Sequence, residues 1–383
     1  MERHEKIGEL LRGAYSELDG KKRGAHWSAK LEASGYVRHR DCYVGTEVPE
    51  VKLYTSSPEI FYGKYISGIV GYLFPRSQQW ARWVPPIGVG QAKRTDGQTM
   101  ILDKPLASRM EAFDSITFTA LSNGNFYSEI KNVMNDWGSF GFGCMSVFDR
   151  NGKPVYRSED PQRFVVDDNE YRELECYIRR FELPARRVVA LYGNTCELKA
   201  SRDLAKGGYT GEMCYTRLYE AVFERGYFID YETGEPFEFA GAKRYVHIVF
   251  SEDDYEVLSE GGYDEMPMAV PCRNRDSEKC YYGHGLAEDC LPDMKQLNDA
   301  ENRKQIALQK ISDPPMYVPY ALEGTFSTRP RSVVYGPDMT QAPRPIQTIA
   351  DYSGILSDVA ERKEELKYKM DVTLFETVMS SGD

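Results

Sequence analysis

The chain has 383 residues, a formal net charge of -11 at neutral pH, 41% hydrophobic and 28% charged residues, and 27 tyrosines within an aromatic fraction of 13%. That length supports a sizeable core divided over two or three domains, and the composition excludes disorder over most of it. The acidic balance argues against tight, non-specific DNA binding, which depends on neutralising phosphates with Lys and Arg, yet it suits a protein that lets DNA pass without holding it.

The start, MERHEKIGELL, is a charged amphipathic helix without the apolar core of a signal peptide. Leu10, Leu11, Tyr15 and Leu18 give it one apolar face. In TSSPEIFYGKYISGIVGYLFP, Ser57 stands as an N-cap, Pro58 takes the first helical position and Pro75 ends the run. A third helix is predicted from about Leu106 to Trp137.

The middle third changes period. CMSVFDRNGKPVYRS reads as two strands around Asn151-Gly152, a strong short-range hairpin signal. RFVVDD, ELECYIRRFEL, CYTRLYEAVFERG, YFIDYE, KRYVHIVFS and YEVLSEGGY continue as strands. LPARRVVALYG inserts a short helix between Pro184 and Gly193. The block reads as an antiparallel α+β domain rather than a parallel βαβ array.

The last third returns to helix. One long helix is expected over about Gly285 to Ser312, with Pro292 marking either a kink or a later true start and Asp313-Pro314-Pro315 ending it. Residues 313–346 read as short strands and turns rich in proline. A second long helix begins near Thr348 and carries Tyr352, Leu356, Val359, Leu366, Met370 and Leu374 at heptad-like spacing. Each helix would reach roughly 35–40 Å, and together they form a projecting arm. Asp299 to Gln305 is polar all round, so that stretch is either solvated or packed sideways through charged contacts. A lone pair of this kind buries little for the entropy it fixes, and self-association would supply the missing burial; a helical hairpin within a monomer stays open beside it.

Three segments carry a resemblance to a known family. YYGHGLAEDCLPDMKQLNDAENRKQIALQKISDPPMYVP resembles the entry to a stem helix, LYTSSPEIFYGKYISGIVGYLFPRSQQW an N-terminal helix that leads to a Trp-containing segment, and DWGSFGFGCMSVF a Gly-rich turn into strands. Together they resemble, in order and over about residues 50 to 375, the portal or head-to-tail connector proteins of short-tailed, podovirus-type bacteriophages. The resemblance implies an α+β fold with an α/β wing, two long antiparallel stem helices and a small α/β clip, assembled as a ring, usually of twelve copies. By position, the wing is residues 1–281, helical over 1–137 and β-rich over 138–281. The first stem helix is 282–312, the clip 313–346 and the second stem helix 347–375. Residues 376–383 begin a tunnel-loop region, and the chain stops at ETVMSSGD, without the family's further wing and crown.

The same resemblance implies a place at the capsid vertex of the virion, and in the host cytoplasm during assembly. Double-stranded DNA would pass through the channel during packaging and ejection, with no membrane involved. The implied partners are the large terminase subunit, then tail adaptor proteins, together with major capsid and scaffold proteins. Neither a catalytic site nor a cofactor is implied, since hydrolysis belongs to the docked motor. A metal-dependent nucleic-acid-processing enzyme, or a scaffold protein with a helical dimerisation arm, is the alternative.

The residues themselves offer little chemistry. GSFGFG lacks the Lys and the following helix of a nucleotide loop and reads as a tight turn into Cys144-Met145-Ser146-Val147. None of the eight cysteines has CxxC spacing, so they read as reduced thiols. Cys272, Cys280, His284 and Cys290 lack the paired spacing of structural zinc, and no metal is expected. In the second long helix Asp358, Glu361, Arg362, Glu365 and Lys369 are candidates for lining a channel or pairing between subunits. A solvated face with i,i+4 pairs such as Glu365–Lys369 accounts for the same pattern. Arg329, Arg331, Tyr335 and Arg344, set among prolines, are candidates for clip packing or partner docking, because exposed Arg and Tyr favour interfaces.

Overall fold

The period-two pattern in the middle of the chain resolves into one five-stranded antiparallel sheet. The structure, a computed structural model, describes residues 2–24, 26–37, 52–84, 91–93, 99–101, 104–193, 215–229, 234–253, 255–275, 281–312, 316–317, 344–345 and 352–372. It divides into two units, residues 1–49 with 63–289 and residues 50–62 with 290–383.

In the first unit, β5 (Phe164–Asp168), β6 (Leu174–Pro184), β7 (Tyr215–Glu224), β8 (Tyr245–Ser251) and β9 (Val257–Tyr263) pair in sequence order. Alternate residues serve two different cores, because successive side chains on a strand point to opposite faces. Val165, Ile178, Ala221, Phe223, Val246 and Ile248 meet Ile7, Leu11 and Leu18 of α1 (Glu2–Gly24). Phe164, Val166, Tyr177, Val222 and Tyr245 belong to the other core, with Phe140, Phe142 and Tyr282. Both faces are thus covered, which is why Tyr219 to Phe223 are all buried.

The helix predicted over 106–137 is two helices, α4 (Lys104–Asn123) and α5 (Phe126–Phe140). The break falls at Gly124 and Asn125, where glycine withdraws helical preference and the Asn125 side chain bonds the backbone of Tyr156 through both its amide and its carbonyl. Beyond α5, Gly141 caps the helix in the left-handed region at φ +83°. A Cβ there would collide with the backbone of Gly283 and His284. The segment GSFGFG is therefore a helix-to-strand turn. It leads to β3 (Met145–Arg150), whose hairpin with β4 (Lys153–Ser158) turns through Asn151 and Gly152 at φ +57° and +75°.

The two strands around Gly152 pair in register from Met145↔Ser158 to Arg150↔Lys153, with β10 (Met268–Ala269) on the outer edge of β3. Elsewhere in this unit, β1 (Gln91–Lys93) pairs with β2 (Thr99–Ile101), α6 (Ala185–Tyr192) follows β6, and α7 (Leu286–Asp289) closes the unit. Of the segment YFIDYE, Tyr227 and Phe228 are not in a strand and Ile229 makes an isolated bridge to Pro236, while Asp230, Tyr231 and Glu232 lie outside the described residues.

A helix the periodicity had not separated, α2 (Trp27–Val37), follows α1, and one buried lysine from each helix ties it to the second core. The Lys22 ammonium, 1% exposed, donates to the carbonyls of Pro161, Gln162 and Phe164 at 3.2, 3.3 and 2.9 Å and lies 5.0 Å over the Trp27 ring. Lys30, equally buried, donates to Phe140 O at 3.1 Å, to Gly283 O and to Glu288 Oε2 at 2.8 Å. Neither was legible, since a lysine at a helical core position reads as surface.

The long helix expected from Gly285 is interrupted. α7 stops at Asp289, and α8 (Leu291–Ser312) starts after Cys290, whose carbonyl accepts from Met294 N. Pro292 therefore lies in the first turn of α8, where its missing N–H costs nothing. α3 (Ser57–Leu73) and α9 (Tyr352–Lys369) complete the helices described. β11 (Met316–Tyr317) pairs antiparallel with β12 (Arg344–Pro345), which closes the ends of the proline-rich segment.

Candidate functional site

In the second unit α8 and α9 run antiparallel, since Lys369 meets Asp293 while Lys363 meets Glu301 further along α8. Leu291, Met294, Leu297 and Ala300 are buried on α8, and Val359 and Leu366 on α9, with Met370 just beyond it. The same spacing then continues through polar side chains. Asn298, 6% exposed, donates to Lys52 O at 3.0 Å and accepts from Tyr54 N at 2.8 Å. Glu301, 4% exposed, lies 2.5 Å from both Lys304 and Lys363. Burial works to raise the Glu301 pKa, but hydrogen bonds from the two lysines outweigh it and hold the carboxyl below its ordinary range.

The stretch from Asp299 to Gln305 is thus packed sideways through charge on one side and solvated on the other. Beyond it the apolar side chains Ile306, Leu308 and Ile311 stay 42–54% exposed, and on α9 Leu356 is 43% and Tyr368 75% exposed.

The candidate residues of α9 fall into this frame. Arg362 Nε binds Asp358 at 3.0 Å and its Nη1 donates to Gln296 Oε1 of α8 at 2.6 Å. Lys369 lies 2.8 Å from Asp293 and 2.9 Å from Glu365, and the hydrogen bond to Asp293, then that to Glu365, raises its pKa above the ordinary lysine value. Asp358, Glu361 and Glu365 are exposed. The i,i+4 pairs were visible in the sequence; Gln296 and Asp293 as partners were not. Arg329, Arg331 and Tyr335 lie outside the described residues, and Arg344 occupies β12 opposite Tyr317.

A second polar cluster, which sequence reasoning missed, sits in the first unit where β3–β4 faces the five-stranded sheet. Glu159, 4% exposed, accepts from Ser146 at 2.8 Å, Arg157 at 2.5 Å and Arg179 at 2.8 Å. Arg179 also donates to Glu220 at 2.5 Å, and Glu220 lies 3.1 Å from His247. Burial acts to raise the Glu220 pKa. The hydrogen bond from His247 and the charges of Arg179 and Arg157 outweigh it and bring the carboxyl to about 2. The signal was the alternation itself: Arg179 and Glu220 are charged residues on strands that bury both faces.

This cluster is a set of buried ion pairs, in which Arg157 Nη2 and Arg179 Nε have no hydrogen-bond partner among the described residues, rather than an acid–base pair in a cleft. Among the described residues no group of three or more His, Cys, Asp or Glu is placed to hold a metal ion. Cys144, Cys176, Cys272 and Cys290 are free thiols, and the Cys272 Sγ donates to Tyr281 O at 2.8 Å. Burial pushes the Cys144 and Cys176 pKa values well up, so these two are inert as nucleophiles. No described helix is long and apolar enough to cross a membrane.

The portal protein of Salmonella phage epsilon15 is 23% identical over 220 residues, which are 56% of this chain and 38% of that protein. The chain thus spans well under half the length of that relative. The family described as "Bacteriophage head to tail connecting protein" matches residues 23–383. With nearly the whole sequence inside that match, the chain belongs to the family of bacteriophage head-to-tail connecting proteins.

Proposed function

We propose that the chain is a portal subunit: a non-catalytic component of a ring at one capsid vertex, through which double-stranded DNA enters during packaging and leaves on ejection. The observation that carries this reading is the family match from residue 23 to the last residue. The bare apolar side chains of α8 and α9 support it, because Ile306, Leu308, Ile311 and Leu356 have a reason to face water in one chain if another chain covers them. The net charge of -11 fits a wall that repels phosphate.

In this reading residues 1–281 form the wing, 282–312 and 347–375 the two stem helices, and 313–346 the clip. The ring is a homo-oligomer, dodecameric by analogy with its family. Asp358, Glu361, Arg362, Glu365 and Lys369 line the channel or pair between subunits. Arg329, Arg331, Tyr335 and Arg344 pack the clip or receive its partners, the large terminase subunit first and tail adaptor proteins afterwards. Major capsid and scaffold proteins surround the ring in the virion, after assembly in the host cytoplasm.

End-on electron micrographs of the purified chain, with its mass in solution, test the proposal. Closed rings of one copy number support it. A monodisperse monomer at every concentration would remove it.

A further inference from the structure

Strand β6 carries exposed charge of opposite sign at its two ends. At its start the β5–β6 turn is built rigidly. The Asn169 side chain accepts from Tyr171 N at 3.0 Å and Glu173 N at 2.9 Å, while Asn169 N donates to Glu173 O and Arg172 N to Asn169 O. Arg172 takes φ +64°, a conformation that these bonds hold in place. The tip presents Tyr171, 83% exposed, flanked by exposed Glu170 and Glu173, with Arg172 as the one cation among them. Behind it burial and the neighbouring charges of Glu224, Asp167 and Asp168 raise the pKa of the Glu175 carboxyl, while Arg244 pairs with Glu224 and Arg275 with Asp168.

At the other end, α6 turns Ala185 and Val188 into a small core with Leu218. That leaves Arg186 and Arg187 exposed, with Leu191 at 60% exposure one turn further on. Neither arginine has an ion-pair partner among the described residues. The strand between them is 11 residues long, so the two surfaces stand about 35 Å apart and cannot neutralise each other within one chain.

We infer that Arg186 and Arg187 of one copy dock on the Glu170–Tyr171–Glu173 tip of the next, as a head-to-tail contact between neighbouring copies of this chain. The inference rests on the ring reading above and adds which surfaces meet. Different patches on the two sides of a subunit are what a heterologous contact requires, and such contacts generate rings when the rotation closes. Tyr and Arg are the side chains that dominate interface energetics, and a tip rigid before contact loses little entropy on docking.

Charge reversal in the full-length chain tests this, with circular dichroism to confirm that each variant folds. Arg186→Glu with Arg187→Glu makes both ends acidic, and Glu170→Arg with Glu173→Arg makes both ends basic. Each variant alone should lower the assembled fraction at least about ten-fold at a fixed concentration, because like charges then face each other. An equimolar mixture should restore assembly, with the two variants alternating and an even copy number by native mass spectrometry.

Wild-type rings with both variants assembling normally would overturn the contact while leaving the ring reading intact. Folded variants that fail both alone and mixed would also overturn it, and so would loss confined to one of the two, which points to a separate acidic or basic partner. A wild-type chain that never assembles would remove the ring reading and this contact with it.

Discussion

Lys363 of α9 lies 2.5 Å from the carboxylate of Glu301 on α8, and that carboxylate is 4% exposed although it sits in the most polar stretch of its helix. The pair continues the apolar seam of Met294, Leu297 and Val359 with charge. Single substitutions Glu301→Ala and Lys363→Ala should each lower the melting temperature. The loss should be greater for Glu301, which also serves Lys304. A double-mutant cycle should give a coupling of about 1 kcal/mol, and additive effects would show that the contact is not energetically real.

Acid should act through Glu220. Its folded carboxyl, at about 2, binds a proton more weakly than in the unfolded chain, with an ordinary value of 4.5. The stability from its contacts with Arg179 and His247 is therefore complete above about 4.5 and drains away as the pH falls toward 2. The loss is on the order of 3 kcal/mol. Urea unfolding between pH 5 and 3 should show a steep loss in the wild type and a shallower one in Glu220→Gln, which starts from lower stability.

Lys22 should give a slope of the same sign in the alkaline range. Burial lowers its pKa from 10.5 to about 8, against the pull of Asp19. Between these values the unfolded chain binds the proton more tightly, so the contribution of Lys22 to stability rises with pH across that window. The wild type should gain on Lys22→Met as the pH moves from 8 to 10, and a constant gap between the two unfolding curves would contradict this.

Two glycines with similar backbone angles should respond differently to alanine. Gly152→Ala places a side chain in the left-handed region with open space around it and should cost about 1 kcal/mol. Gly141→Ala adds a collision with the backbone of Gly283 and His284, and should cost more than about 3 kcal/mol. Equal melting temperatures for the two variants would argue against the close approach.

Ile306→Glu and Ile311→Glu change side chains that face water in the single chain. Both should leave monomer stability within about 0.5 kcal/mol of wild type while reducing association measured by sedimentation. Loss of monomer stability instead would mean that these side chains are covered within the chain.

Local chemistry was readable and distant pairing was not. The Asn151-Gly152 hairpin and the short helix between Pro184 and Gly193 appear where their turn residues placed them, because those signals act over a few residues. The break at Gly124 was hidden by apolar spacing that carries on across it. α2 was hidden because Lys30 occupies a core position, a use of lysine that only the carbonyls of Phe140 and Gly283 explain. In the candidate site, Asp358–Arg362 and Glu365–Lys369 follow from helical spacing. Their bonds to Gln296 and Asp293, like Arg179 to Glu220, join residues dozens of positions apart and leave no periodic trace.

The division along α8 has a kinetic consequence. In the proposed ring, the side chains that secure α9, from Asp293 to Glu301, are not those that another copy covers beyond Gln305, so closing the hairpin is first order while covering its tip depends on how often two molecules meet. Dilution after refolding should therefore yield closed hairpins with naked tips, and concentrating them should consume the naked tips without reopening any hairpin.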